Sequence, residues 1–461
     1  MITIPKIGLE IHGYLTTKEK LFCSCKNAHK DKEAKPNTFI CPICCGYPGS
    51  KPMLPNEEAI KKLIQIALML NCKVNTTENK KPLIWWRKHY NWPDLPKGYQ
   101  NTISGTYATP VGEKGNFSGI GITEVHLEED PAAWNPDKGE VDYNRSGAPL
   151  VEIVTEPDFT SSESVEKWLK EMILTMSYIK ALDSDAGIKA DVNVSINNGE
   201  RVEIKNMNSL AEIKKAIEFE IKRQEKEKPT FKQTRQWDSK KEQTILMRSK
   251  ESHADYRFIK EPDLPIINLT KTEVENIKKK LPESPTVKLD RLIKKYKIDE
   301  YYSKILISNI ELVEFFEKVV ENNSSIANLA VPWVTVELLG VLNYNKKTLA
   351  KINIQPNHFI ALLKLIEEKK VTELKAKDIL RSWKEKSSIP NIQGETMISN
   401  LAEIEKLVDK ILAEKSSQKA IEDFKSGNIQ ALNFLIGAVM KASNKRADFA
   451  TAKRLLEKKL K

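Results

Sequence analysis

Ile7-Gly8-Leu9-Glu10-Ile11-His12 alternates with period two, setting Ile7, Leu9 and Ile11 on one face of a strand and Glu10 and His12 on the other. A second stretch, Leu150-Val151-Glu152-Ile153-Val154, reads as a strand buried on both faces and interrupted by one glutamate. A lone buried carboxylate is too costly to keep unless it is paired or bound to a cation. Glu129, beside Glu128 and Asp130 after Val125-His126-Leu127, offers further oxygen donors. Hard oxygens with at most one imidazole suit Mg²⁺, which keeps water and phosphate in its remaining positions. Each acid alone reads as a surface or salt-bridged glutamate; together, inside apolar strands, they point to a metal site.

From Ile7 to about Ile267 such strand patterns alternate with Gly, Pro and Asn turns and a few long helices, which is the pattern of an α+β domain. Asn56 is placed to cap a helix running to about Asn71, and Thr160 with Glu163 and Ser209 with Glu212 fit capping boxes for two more. The first of those two lines up Val165, Leu169, Met172, Met176 and Ile179, a core-packing stripe. After Pro282-Glu283-Ser284-Pro285 nearly everything reads as helical and Lys-rich, with a second break from Ile389 to Gly394. The expected organisation is an α+β domain over 1–285, an all-α middle domain over 286–394 and a small helical tail over 395–461, in which Leu432, Leu435, Ile436 and Val439 pack inward.

One hairpin follows in register. Ile188, Ala190, Val192, Val194 and Ile196 share a face, as do Val202 and Ile204, so an odd-length loop is required, and Asn198-Gly199-Glu200 fits it. Asn193 then faces Lys205 and Ser195 faces Glu203. The polar face carrying Lys189, Asp191, Asn193 and Lys205 is either a solvated sheet surface or the wall of a cleft for phosphates. The turn-rich segment Trp92-Pro93-Asp94-Leu95-Pro96-Lys97-Gly98-Tyr99-Gln100 is either only a rigid loop or one whose Lys97 and aromatics meet a nucleotide.

Five of the 6 cysteines lie in one window, Cys23-Ser24-Cys25 and Cys41-Pro42-Ile43-Cys44-Cys45. Two close pairs separated in this way resemble the knuckles that give four thiolates to tetrahedral zinc, with Cys23, Cys25, Cys41 and Cys44 as ligands. The alternative is a set of small buried thiols. A closed four-thiolate site has no open position, so it is structural. Cys72 reads as core.

The 461 residues, 40% hydrophobic and 30% charged, exclude a disordered or low-complexity chain. No apolar run approaches the ~18 residues of a membrane span, and Leu63 to Leu70 reads as a packed helix. Met1-Ile2-Thr3-Ile4-Pro5-Lys6 lacks the features of a secretory leader, so a cytoplasmic protein is expected. Lys and Arg number 74 against 63 acids, a net charge of +11 that favours a polyanionic partner. The excess is concentrated at the end, where Lys441, Lys445, Arg446, Lys453, Arg454, Lys458, Lys459 and Lys461 face only Asp448 and Glu457. No GxxxxGK[ST] loop, GxSxG elbow or Rossmann fingerprint is present, so ATP, if used, is not bound by one of those folds.

In order along the chain, Gly8-Leu9-Glu10-Ile11-His12, the cysteine pairs, Tyr47-Pro48-Gly49, Pro93 to Gln100, His126-Leu127-Glu128-Glu129-Asp130, Pro149 to Asp158, Val202-Glu203-Ile204-Lys205-Asn206 and Glu261-Pro262-Asp263-Leu264-Pro265 resemble the B subunit of the glutamyl/aspartyl-tRNA amidotransferases. The segment Asn433 to Lys441 continues the likeness. The resemblance implies an ATP-dependent ligase that phosphorylates the side-chain carboxylate of Glu or Asp misacylated on tRNA(Gln) or tRNA(Asn) and then lets ammonia displace the phosphate. It implies a cradle-shaped catalytic domain in which His12, Glu129 and Glu152 hold Mg²⁺ with Glu10 nearby. It also implies a tail that grips tRNA, for which Lys441, Lys445, Arg446, Lys453 and Arg454 are the candidate contacts. The implied partners are an amidase subunit supplying ammonia and a small third subunit, in a heterotrimer. The chain itself lacks the Ser-Ser-Lys signature of an amidase. A zinc-stapled tRNA-binding scaffold with merely structural acids is the non-enzymatic alternative.

Overall fold

The computed structural model describes residues 4–28, 31, 33–79, 81–90, 92–105, 107–183, 188–197, 199–249, 257–349, 351–394 and 396–460. The chain divides into two compact units, Met1–Ser284 and Pro285–Lys461.

In the first unit the strands are β1 (Pro5–Tyr14), β2 (Lys73–Val74), β3 (Trp86–His89), β4 (Gln100–Thr102), β5 (Gly112–Phe117), β6 (Ile120–Glu129), β7 (Ala133–Asn135), β8 (Glu140–Asp142), β9 (Pro149–Thr155), β10 (Lys189–Ile196), β11 (Val202–Met207), β12 (Gln233–Asp238), β13 (Gln243–Ser249) and β14 (Arg257–Lys260). Twelve form one mixed sheet in the order β13-β12-β11-β10-β1-β9-β6-β4-β3-β14, with β5 added on β6 and β2 on β5; β7 and β8 pair separately. β11 and β12 run parallel and the other pairs antiparallel.

The alternation in β1 is realised. Ile7, Leu9 and Ile11 join Val125, Leu127, Val151, Ile153, Val192, Val194 and Ile204 on the apolar face of the sheet. After the short helix α1 (Pro42–Cys45) in the cysteine segment, helices α2 (Glu57–Met69), α3 (Ser162–Tyr178) and α4 (Leu210–Glu227) cover that face. Val165, Leu169, Met172 and Met176 of α3 are all buried there, each contributing about 2 kcal/mol by removal from water. Asn56 caps α2 by accepting from the Ala59 amide, and Ser209 caps α4 by accepting from the Glu212 amide. The cap of α3 is one residue later than the sequence suggested: Ser161 and Ser164 form the box, not Thr160 and Glu163. The β10–β11 register also differs. Asn193 faces Glu203 and Val194 faces Val202, two residues away from the expected pairing. The strands end at Ile196 and resume at Val202, so the connection is longer than three residues; it contains Asn197 at φ 49°. Because the shift is even, the apolar residues keep their face. Asn198 of the expected loop lies outside the described residues.

The second unit is helical. Pro285–Tyr296, Glu300–Ile307, Ile310–Val320, Pro356–Glu367 and Glu373–Ser382 precede Leu401–Ala413, Gln418–Lys425, Ala431–Ala442 and Phe449–Leu460. The last four share one core built from Ile404, Val408, Leu432, Leu435, Ile436, Val439, Leu455 and Leu456. One helical run corrects the sequence reading. Ser324–Tyr344 is continuous over 21 residues and by length and composition is apolar enough to cross a membrane. Ile326, Ala330, Val331, Trp333, Val334 and Leu338 of this run are buried within the unit, as in a core helix. Pro332 and Glu337 divide its sequence into short apolar pieces, which concealed it. Pro332 lacks an amide donor, and the run passes into a π-helical segment, Trp333–Leu338, directly after it.

Candidate functional site

The polar face of the central strands gathers the charged residues that interrupt the apolar patterns. Register sets them in rows. His12 lies opposite Lys189 on one side and Glu152 on the other, and Glu152 lies opposite His126, so Lys189, His12, Glu152 and His126 form one line across β10, β1, β9 and β6. Two residues along, Glu10 faces Asp191 and both Glu10 and Glu124 face Val154. On the other side Tyr14 and Glu128 both face Leu150.

Within this pattern one oxygen, Glu152 Oε2, lies 3.4 Å from His12 Nε2 and 3.1 Å from His126 Nε2. His126 Nδ1 lies 3.1 Å from Glu124, and its Nε2 lies 3.6 Å from Glu128. Glu128 in turn accepts from Gln100 at 2.9 Å and meets Lys88 at 3.4 Å. One ligand atom each from His12, Glu128 and Glu152 lies within 4.8 Å of the others. His12 and Glu128 open into a cleft of about 280 Å³ lined also by Tyr14, Lys88, Tyr90, Trp92, Asp130 and Lys189.

The electrostatics are those of buried carboxylates kept ionised by two imidazoles and Lys88. Burial opposes protonation of His12, but the Glu152 carboxylate overrides it and lifts the imidazole to about 9. Burial likewise disfavours charge on His126, yet Glu152, Glu124 and Glu128 hold it well above the ordinary value. Glu152 stays ionised against its burial because the two imidazoles hold its carboxyl well below the usual range. Glu128 is held down to about 2, with Lys88 countering the cost of burial. Two carboxylates and an imidazole with ligand atoms this close together, His12 and Glu128 among them lining the cleft, are donors that Mg²⁺ accepts, so these residues fit the ion. His126, buried behind them, holds the Glu152 oxygen in place.

Glu129 is elsewhere. Alternation along β6 sends Glu124, His126 and Glu128 to the polar face. Glu129, one residue on, accepts from Lys97 Nζ and from the Asn101 amide at 2.9 Å. The cluster of candidate ligand atoms therefore includes Glu128 where the sequence reading had Glu129. The signal was available: period two in Val125-His126-Leu127-Glu128 already separates the pairs. Lys97 sits with Glu129, over the rings of Tyr99 (5.2 Å) and Phe22 (5.6 Å), not in the His12 row.

The other expected residues form a neighbouring cluster. Lys205 Nζ lies 2.6 Å from both Asp191 and Glu203, and Asn193 donates to Glu10 at 2.9 Å. Glu10, Asp191 and Glu203 also have ligand atoms within 4.8 Å of one another, but here Lys205 already supplies a cation. Burial and the nearby Glu152 charge raise the Glu10 carboxyl.

Cys23, Cys25, Cys41 and Cys44 bring their sulfurs within 4.8 Å of one another, and Cys41 and Cys44 are 3.9 Å apart. A tetrahedron of ~2.3 Å zinc–sulfur bonds has edges of about 3.8 Å, so the four fit one zinc. Cys45 is outside the group. A hydrogen bond from Cys23 holds the Cys44 thiol down at about 4 against burial, with the Cys41 amide and Lys20 assisting. Gly46, at φ 69°, lies so close to Pro96 that a Cβ would come within 2.4 Å of its carbonyl oxygen, which packs the cysteine knuckle against the Lys97 loop.

In the tail, Lys441, Lys453 and Arg454 are exposed. Lys445 is paired with Asp378 at 2.5 Å and Arg446 donates to the Gly394 carbonyl at 2.9 Å, so these two bind the protein itself.

Residues 5–275 match the family described as the GatB/GatE catalytic domain, and residues 314–460 match the family described as the GatB domain. Among curated proteins, the chain is 42% identical to the B subunit of the aspartyl/glutamyl-tRNA(Asn/Gln) amidotransferase of Methanococcus vannielii, covering 99% of this chain and 98% of the relative. It is 40% identical to the protein of that name from Methanocaldococcus jannaschii, with the same coverage, and 41% identical to that of Methanothermobacter thermautotrophicus over 96% of this chain and 97% of the relative.

Proposed function

The chain belongs to the family of aspartyl/glutamyl-tRNA(Asn/Gln) amidotransferase B subunits, and we propose that its polar sheet face activates the side-chain carboxylate of a misacylated tRNA with ATP. A carboxylate is a poor electrophile. Transfer of the ATP γ-phosphoryl group forms a carboxyl–phosphate bond and releases ADP; ammonia then attacks the acyl carbon, and phosphate leaves as the amide forms. Such transfer needs alignment and charge neutralisation more than covalent help from the protein. The observation that carries this reading is the His12–Glu152–His126 row with Glu128, of which His12 and Glu128 line a cleft that also holds Lys88 and Lys189.

In this proposal His12, Glu128 and Glu152 hold Mg²⁺, which when bound offsets phosphate charge. Lys189, exposed opposite His12, meets a phosphate, and Lys88 steadies Glu128 at the cleft wall. Asp191, Asn193 and Lys205 order the adjacent acids, with Asn193 fixing Glu10. Lys97 and Glu129 brace the loop that brings Gln100 to Glu128. The four cysteines hold a structural zinc, and the exposed Lys441, Lys453 and Arg454 contact tRNA phosphates. Ammonia comes from an amidase partner in a heterotrimer with a small third subunit, in the cytoplasm. The test is ATP consumption and amide formation by the assembled complex with Glu-tRNA(Gln) and Asp-tRNA(Asn). Glu152→Gln removes a charged oxygen at nearly constant volume; it should abolish formation of the acyl phosphate while tRNA affinity stays near wild type. A normal rate in that variant overturns the assignment, and a complex that binds tRNA without consuming ATP is a scaffold instead.

A further inference from the structure

Lys20 is only 1% exposed, among the most deeply buried large side chains of the chain. Lysine is almost never buried in this way unless an anion accompanies it. Among the described residues no carboxylate pairs with it. Its Nζ lies 3.4 Å from Cys44 Sγ and donates to the Tyr143 carbonyl at 3.1 Å. The backbone fixes this placement: the Lys20 amide donates to Cys25 O at 3.0 Å, and the Leu21 amide donates to Gly147 O at 2.8 Å. Ser146 Oγ, in the same 143–147 segment, donates to Cys44 O at 2.7 Å. The segment entering the first cysteine pair and the segment behind the second thus close around one ammonium.

The anion that such a burial requires is sulfur. Four thiolates around one divalent zinc carry a net charge of −2, and burying that charge is costly unless a nearby cation or donor offsets it. We infer that Lys20 is the built-in counter-ion of the four-cysteine centre, a positioning residue that holds Cys44 as a ligand and halves the centre's net charge inside the protein. The inference rests on the zinc reading given above and adds a residue outside the ligand set on which metal retention depends.

Zinc affinity of the full chain, measured by competition with a chromophoric chelator, tests it. Lys20→Met keeps the length of the side chain while removing charge and donor. One zinc per chain should still bind at saturation, with affinity lowered about 10- to 100-fold, the range for removing such an outer partner. Wild-type protein that takes up well under one zinc overturns the zinc reading and this inference together. Wild-type protein that loads fully while Lys20→Met binds within twofold of it overturns the role of Lys20 alone. Should Lys20→Met fail to fold, Lys20→Arg and Lys20→Gln replace it: the charged variant should stay near wild type and the amide should lose at least tenfold. Equal affinities in that pair refute the counter-ion.

Discussion

Loading the His12 site with a divalent cation should release one proton near neutral pH. His12 can ligate only as the neutral imidazole. In the metal-free protein burial opposes its charge, but Glu152 at 3.4 Å prevails and holds its pKa up at about 9. A cation entering at pH 7 displaces a proton held about two pH units above solution, at a cost of roughly 3 kcal/mol or about a hundredfold in apparent affinity. Affinity should therefore rise about tenfold per pH unit from pH 6.5 to about 9 and then level. His126 is buried behind the site between Glu124 and Glu152 and is not a ligand, so it keeps its proton and the count stays at one. Titration calorimetry with Mg²⁺ or Mn²⁺ in two buffers of different ionisation enthalpy reads that count directly. Affinity flat between pH 6.5 and 8.5, with no proton released, would refute both the ligand role of His12 and the electrostatic argument. Release of two protons would show that His126 is deprotonated as well.

Glu128→Gln should abolish Mn²⁺ binding, whereas Glu129→Gln should leave it within a few-fold and instead loosen the Lys97 loop; the reverse result, read by electron paramagnetic resonance, restores Glu129 as the ligand. In metal-free protein the stabilisation from His12 is fully present below pH 6.5, its unfolded value, and is lost as pH rises through about 9, a loss of roughly 3 kcal/mol. The contribution of Glu128 has the opposite sense, present above about pH 4.5 and lost as pH falls toward 2. Urea unfolding with chelator at pH 6, 7.5 and 9 checks the alkaline limb, and a flat profile there contradicts it. Replacing Lys441, Lys453 and Arg454 together with Gln should lower the salt slope of tRNA binding by up to about three units, while Lys445→Gln should act on tail stability; an unchanged slope in filter binding removes the tail from the tRNA interface.

Much of this was legible in residues close together along the chain. Period two in Ile7–His12 put Glu10 and His12 on one sheet face and the apolar residues on the other, because side-chain direction in a strand is a local property. The stripe from Val165 to Met176 gave a buried helix face for the same kind of reason. Two close cysteine pairs announced a four-sulfur cluster, since ligand spacing within a knuckle is local too.

What needed the tertiary structure was the identity of partners across strands. Glu128 and Glu129 are adjacent in sequence; alternation separates their faces, and the β6–β9 register, with His126 opposite Glu152, is what sets Glu128 beside His12. The hairpin kept its predicted face but slid by two residues, so that Lys205 pairs with Asp191 and Glu203, while Asn193 is left to hold Glu10. Lys445 and Arg446 looked like free basic residues until Asp378 and the Gly394 carbonyl came alongside. Lys20 gave no signal in the sequence, because its burial depends on segments 143–147 and 41–44 closing over it. Alternation and spacing fix which way a side chain points; what it meets there is set by packing between strands, which also decides the charge state of buried groups such as His12, whose field comes from Glu152, 140 positions away.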